Sequence, residues 1–212
     1  MHPVRSALIA AAASALVFAN SAAAAPSTLT LTDVKGDANA VNGQGLQPGL
    51  GDRSGPVQKA DSDIVSLTLA STGTTKKVKG RKVFTCTGFT ATMELAAPAG
   101  SNANYRILGA GVVNSFVFYL DYATRATGPI TTVRYGTPGD VQNARLKTPA
   151  ALNGNKVIIT VTEADLTGVG EKLASFRMRD LGASTHSSAA HLTVPLWDTM
   201  DQDESKSFTP CR

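Results

Sequence analysis

The chain has 212 residues, 42% of them hydrophobic and 17% charged, with a formal net charge of +4. That balance excludes a wholly disordered chain and a multi-span membrane protein. It also argues against a nucleic-acid binder, which concentrates far more Lys and Arg on one face.

The first segment reads Met1-His2-Pro3-Val4-Arg5, then an apolar run from Ala7 to Ala19, then Asn20-Ser21-Ala22-Ala23-Ala24. A short basic region, an apolar core and a small-residue cleavage site predict a secretory signal over residues 1–24. The run is short of the ~20 residues that span a bilayer. No later segment is apolar over that length, so the expected product is secreted, with no membrane association once the signal is removed. The mature chain, 25–212, is long enough to bury roughly 70% of the surface it exposes unfolded, as a single domain.

From Ser27 to Val34 the residues alternate, Leu29 and Leu31 with Thr28, Thr30 and Thr32 between them, a strand signal. Residues 33–60 are rich in Gly, Asn, Asp and Pro and read as one long N-terminal loop. From Ser62 a run with Ile64, Val65, Leu67 and Leu69 is β-like, and Gly73 with its Thr neighbours predicts a turn. Val78 to Cys86 and Phe89 to Leu95 follow as two strands broken at Gly88. Ala97 to Asn102 is a turn. Tyr105 to Leu108 and Asn114 to Tyr122 come next. In the latter, Phe116, Phe118, Leu120 and Tyr122 share one face and Val117, Tyr119 and Asp121 the other. Ile130 to Tyr135 and the β-branched Val157 to Thr162 are strands. Glu171 to Leu181 fits a short helix or a strand, and its strand neighbours favour strand. Leu192 to Trp197 closes the set.

Nine or ten short strands with almost no helical pattern predict an all-β fold. The expected architecture is an antiparallel β-sandwich of jelly-roll or immunoglobulin-like type, in one domain. Cys86 and Cys211 are the only cysteines. An exported chain predicts a disulfide between them, closing most of the C-terminal two-thirds and tying down the terminus.

Within the long loop, Asp37, Asn39 and Asn42 are spaced closely before Gly43, with Asp33 before them and Asp61 or Asp63 after. Hard cations take 6–8 oxygens from such groups, so calcium is the one cofactor the chain suggests, held by Asp33, Asp37, Asn39, Asn42 and Asp63. It is no EF-hand: Val41 and Pro48 stand where ligands should. An Asx-turn loop capping its own backbone explains the same residues equally well.

Taken together, Asp33-x-x-Gly36-Asp37-Ala38-Asn39-x-x-Asn42-Gly43, the Gly/Pro-rich loop and Ala60-Asp61-Ser62-Asp63-Ile64 form a recognisable opening. It resembles that of exported actinobacterial proteins with a β-sandwich similar to family 9 carbohydrate-binding modules and DOMON domains. The resemblance implies a jelly-roll sandwich and ligand binding, without naming the ligand.

Sugar binding would draw on exposed aromatics: Tyr119, Tyr122, Tyr135 and Trp197. Core packing is the competing role for Phe116, Phe118 and Trp197, and Tyr119 is the better surface candidate. Haem ligation would need Met93, Met178 or Met200 with His186 or His191, although a Met on a strand is usually core filler. The two histidines read instead as a polar turn. Gly51 to Pro56 resembles a serine-protease loop but holds Arg53 where the nucleophile belongs. A hydrolase would need paired carboxylates such as Glu94, Glu163 or Asp165. Lys76, Lys77, Lys79, Arg81 and Lys82 form a basic cluster, suited to an acidic polymer or to a protected hairpin edge. Asp198, Asp201, Asp203 and Glu204 read as cation ligands or a solvated tail.

The expected protein is a secreted, non-enzymatic binding module for a carbohydrate or for a cell-wall or other extracellular polymer. The alternatives are a glycan-active hydrolase and a cell-surface interaction protein.

Overall fold

The computed structural model describes residues 25–33, 39–40, 63–99, 103–111, 117–123, 129–137, 140–187 and 196–211. The expected signal at 1–24, the loop positions Asp37 and Asn42, Phe116 and His191 lie outside these residues.

Two antiparallel sheets make up an all-β sandwich. The strands are β1 (Thr28–Thr32), β2 (Asn39–Ala40), β3 (Ile64–Val78), β4 (Arg81–Leu95), β5 (Ala103–Gly111) and β6 (Val117–Ala123). They continue with β7 (Ile130–Thr137), β8 (Asp140–Arg145), β9 (Ala151–Asn153), β10 (Lys156–Thr162), β11 (Met178–Ser187) and β12 (Leu196–Phe208). One sheet has the order β1-β3-β4-β10-β9, the other β2-β12-β11-β5-β6-β7-β8. Strict alternation builds the core. In β10, Val157, Ile159 and Val161 are buried while their neighbours are not. Leu67, Leu69, Ala91 and Met93 face them from the same sheet, and Tyr105, Ile107, Leu120, Tyr122, Val133 and Ala183 from the other. Phe89 links the layers: its ring lies 5.7 Å from Phe176, stacked, and 5.7 Å from Phe208, edge-on.

Several segments differ from the sequence expectations. Gly73 makes no turn. It sits inside β3, where a Cβ would come within 2.2 Å of the Thr85 carbonyl oxygen and 2.7 Å of the Phe84 ring. The turn falls at Lys79 (φ 48°) and Gly80 (φ 81°), and two positive φ values match the two-residue hairpin turn whose twist suits the flanking strands. The strand break expected at Gly88 is absent: β4 runs through it because β10 approaches so closely that a Cβ there would lie 2.1 Å from the Val161 carbonyl oxygen.

His186 belongs to β11, paired with Trp197 and Asn104, rather than to a turn. The acidic run 198–204 lies within β12 and is no tail. Cross-strand pairing on both sides of β11 decides both outcomes. The 171–181 segment divides: a 3₁₀ turn at Leu173–Ser175, then strand from Met178. A five-residue helix, α1 (Glu163–Thr167), was not anticipated. Strands β8 and β9 were also missed, since their exposed polar sequences carry little apolar alternation.

The termini meet at one place. Cys86 and Cys211 are disulfide-bonded with Cα atoms 5.6 Å apart. Beside them Pro26 bridges Cys211, the Ser27 hydroxyl donates to the Thr209 carbonyl at 2.6 Å, and the Ser71 hydroxyl donates to the Pro210 carbonyl. The bond closes a separation of 125 residues, worth about 4–5 kcal/mol in the chain-entropy account. Cys86→Ser with Cys211→Ser should lower the thermal midpoint by on the order of 10 °C in a calorimetric scan. Phe89→Ala, which empties the inter-sheet aromatic contact, should cost about 3–5 kcal/mol in denaturant unfolding.

Candidate functional site

The outer surface of the seven-stranded sheet carries the densest array of chemically capable side chains among the described residues. Register explains how they meet. Arg106 on β5 stands opposite Asp121 on β6, which stands opposite Thr132 on β7, which stands opposite Arg145 on β8. One step along, Tyr119 stands opposite Arg134, and Arg134 opposite Asn143. Their neighbours Tyr105, Ile107, Leu120, Tyr122 and Val133 all turn into the core. The same period of two that fills the interior therefore gathers these polar residues outside.

Direct and diagonal cross-strand pairs then lock the array. Arg106 Nε donates to Asp121 Oδ1 at 2.5 Å. Arg134 Nε lies 3.1 Å from Asp121 Oδ2, an ion pair without hydrogen-bond alignment. The Arg106 guanidinium carbon sits 5.2 Å from the Tyr119 ring centroid, a cation–π distance. Asp121 is only 16% exposed, whereas Arg106 and Arg134 are 43% and 42% exposed. The carboxylate thus works as an internal brace. The Nε atoms make the contacts to Asp121, and no hydrogen bond from an Nη group of either arginine to a described residue is seen. Two fixed guanidiniums beside an aromatic ring, with Arg145 further along the row, suit a ligand that has both an anionic group and an apolar face.

The four predicted aromatics separate. Tyr119 is half-buried on this outer face. Tyr122 is a correction: at 3% exposure it packs inside, its ring 6.1 Å from that of Tyr105, because it alternates with Tyr119 and Asp121. Tyr135 is partly buried against the core on the inner side, and its hydroxyl meets Glu171. Trp197 is a backbone position in β12, in register with His186 and with Asn39 of β2.

Of the proposed calcium ligands, Asp33 and Asp63 are brought to one strand end. The Asp33 amide donates to the Val65 carbonyl at 2.9 Å, and Asp63 is buried just before β3. Asn39 is placed in β2 as backbone. No group of three His, Cys, Asp or Glu side chains suited to a metal occurs among the described residues. Met93 and Met178 are fully buried core residues.

The carboxylates considered for hydrolysis do not converge. Glu94 pairs with Lys156 at 3.4 Å, at the start of β10. Asp165 follows the other end of that strand, about 20 Å away at the usual strand rise. It is buried, and its carboxylate accepts bonds from the Thr162 amide (2.9 Å), the Thr162 hydroxyl (2.6 Å) and the Lys147 amide (3.0 Å). Glu163 accepts from the Leu173 amide at 3.0 Å. Glu163 and Asp165 are engaged in capping and loop support.

The sequence reading missed the Arg106–Asp121–Arg134 array. Charges alternate with core residues on three separate strands, and only register reveals that they are neighbours.

No protein-family model matches the chain, and no curated protein or solved structure matches it.

Burial raises the Tyr122 phenol above its ordinary value of 10.0. Burial, followed by the Glu171 carboxylate beside it, raises Tyr135 as well. An unfolded chain releases these protons near pH 10 while the folded one retains them, so the unfolded state binds fewer protons and stability falls as pH rises. Unfolding free energy measured from pH 8 to 11.5 should therefore drop above about pH 10. Tyr122→Phe with Tyr135→Phe should flatten that drop.

Proposed function

We propose that the protein is a secreted, non-enzymatic binding module. Its ligand is a carbohydrate or cell-wall polymer bearing a carboxylate or phosphate, taken up on the outer face of the seven-stranded sheet. The array of Arg106, Tyr119, Asp121 and Arg134 carries this reading. The arginines bind the anionic group through their Nη donors, and the Tyr119 ring offers the flat apolar surface on which a sugar stacks. Asp121 holds the guanidiniums in place before binding, which lowers the ordering cost of association. The β-sandwich is consistent with the resemblance to carbohydrate-binding modules, and the signal-like sequence of residues 1–24 and the disulfide are compatible with an extracellular setting. The structural use of Glu163 and Asp165, and their distance from Glu94, weigh against a paired-carboxylate hydrolase.

The same reading gives calcium a stapling role at Asp33 and Asp63, where the 33–60 segment leaves and rejoins the five-stranded sheet. Calcium at millimolar concentration should then raise the thermal midpoint, and chelator should reverse the rise. An unchanged midpoint would remove calcium from the account.

Mature protein incubated with purified cell wall and a panel of acidic polysaccharides should show saturable retention. Tyr119→Ala should weaken it by about tenfold, the scale of one lost stacking contact. Arg106→Gln with Asp121→Asn, which removes one guanidinium and the carboxylate that braces both arginines, should weaken it further. Wild-type protein retained by none of these materials would sink the reading.

A further inference from the structure

The β3–β4 hairpin is longer than the sheet that holds it. β1 pairs with β3 only from Ser66 to Ala70, and β10 with β4 only from Gly88 to Glu94. Beyond these limits Gly73–Val78 and Arg81–Cys86 pair with each other alone. They form a two-stranded ribbon that projects by about 17 Å at the usual strand rise. Every residue from Gly73 to Lys82 is exposed.

The ribbon's charge is concentrated and unopposed. Lys76, Lys77, Lys79, Arg81 and Lys82 fall within seven residues, and no Asp or Glu occurs from Ile64 to Met93. None of the five forms an ion pair with a described residue. Lys77 stands directly opposite Lys82, an arrangement of like charges that weakens a strand pair. Protection of an open strand edge would place charge along the whole free edge. Here residues 72–75 and 83–87 carry none, and the cations crowd only the far end.

The arm is also stiffened at its base. Cys86 is disulfide-bonded to Cys211, Ser71 is bonded to the Pro210 carbonyl, and Phe84 closes over the bare backbone of Gly73. A ring packed over a strand glycine supports pairing there.

We propose that this ribbon is a docking prong for a flexible linear polymer bearing phosphate groups, with Lys77 and Lys82 clasping one oxyanion between them. Register places Lys77 and Lys82 on one face, Lys76 and Arg81 on the other, and Lys79 in the turn. A chain that wraps the tip reaches all five, whereas a flat membrane surface reaches one face. Nucleic acid is disfavoured because single-strand binders interleave aromatics for base stacking. The exposed tip, 73–82, holds none. The prong stands apart from the Arg106–Tyr119 face, and the two assignments hold or fail separately.

The test is titration of full-length mature protein with long-chain inorganic polyphosphate. Binding should weaken about a hundredfold between 50 and 200 mM salt, the effect of five phosphate contacts in a single chain. Lys77→Gln with Lys82→Gln should lose at least tenfold in affinity and flatten the salt slope by about 1.4. Its thermal midpoint should equal or exceed the wild-type value, since repulsion is relieved. Lys172→Gln with Arg177→Gln, which removes the same charge from exposed positions elsewhere, should bind as wild type does. Equal losses in the two double variants, or no wild-type binding at 50 mM salt, would overturn the proposal. Tighter binding to oligo-dT of equal phosphate count would overturn it in favour of nucleic acid. Loss of wall retention in Tyr119→Ala with intact polyphosphate binding would leave the prong standing by itself.

Discussion

The clasp at Cys86 is the constraint on which the rest of the structure depends. β3 and β4 both line the core and continue into the ribbon, and on β4 Cys86 marks the change between those roles. Phe89, three residues on, joins the sheets through Phe176 and Phe208. Phe208 ends the last strand, and Cys211 follows close behind. Ser27 and Pro26 enter the same knot from the other terminus. Covalent closure, backbone bonding and aromatic packing therefore act on one small region. Terminal strands that would otherwise fray are held there, and the projecting hairpin acquires a rigid footing.

Away from the clasp, alternation does most of the sorting. On β5 and β6 it sends Tyr105, Ile107, Leu120 and Tyr122 inward and leaves Arg106, Tyr119 and Asp121 outside. The inner set buries apolar area and gives the sheets their reason to pack. The outer set adds little stability, because exposed ion pairs contribute about 0–1 kcal/mol. An outer face of Ser and Thr would serve a purely structural sheet as well. Two arginines directed at one mostly buried carboxylate represent a more specific arrangement, and binding is the use for which such pre-positioning matters.

The all-β class, the disulfide and most of the core were legible in the sequence because they rest on local signals. Val157 to Thr162 could hardly be anything but a strand, and two cysteines in the whole chain leave one pairing. The errors arose where a tertiary neighbour outweighs a local signal. Gly73 and Gly88 look like breaks, yet each is a close approach that only glycine allows: to the Thr85 carbonyl in one case and the Val161 carbonyl in the other. His186 looks like a turn residue until Asn104 and Trp197 pair with it from either side. Tyr122 could be assigned to the Phe stripe or to a binding surface, and its register with Tyr105 decides for the core. The Arg106–Asp121–Arg134 array could not be read at all, since its members lie 15 and 13 residues apart with no shared local pattern.

The placement of the acidic residues bears on function as much as the arginines do. A folded chain with Glu94, Glu163 and Asp165 has enough carboxylates for acid–base chemistry, and composition alone leaves that possibility open. The structure assigns each a partner: Lys156 for Glu94, the Leu173 amide for Glu163, and three donors from Thr162 and Lys147 for Asp165. A buried carboxylate that already accepts three internal hydrogen bonds is turned away from solvent and poorly placed to meet a substrate. The basic groups show the opposite pattern. The ribbon cations have no acidic counterpart among the described residues, and Arg106 and Arg134 share one carboxylate between them. Three acids turned to internal bonding, beside arginines and ribbon cations that face solvent, are the contrast from which anion binding is proposed.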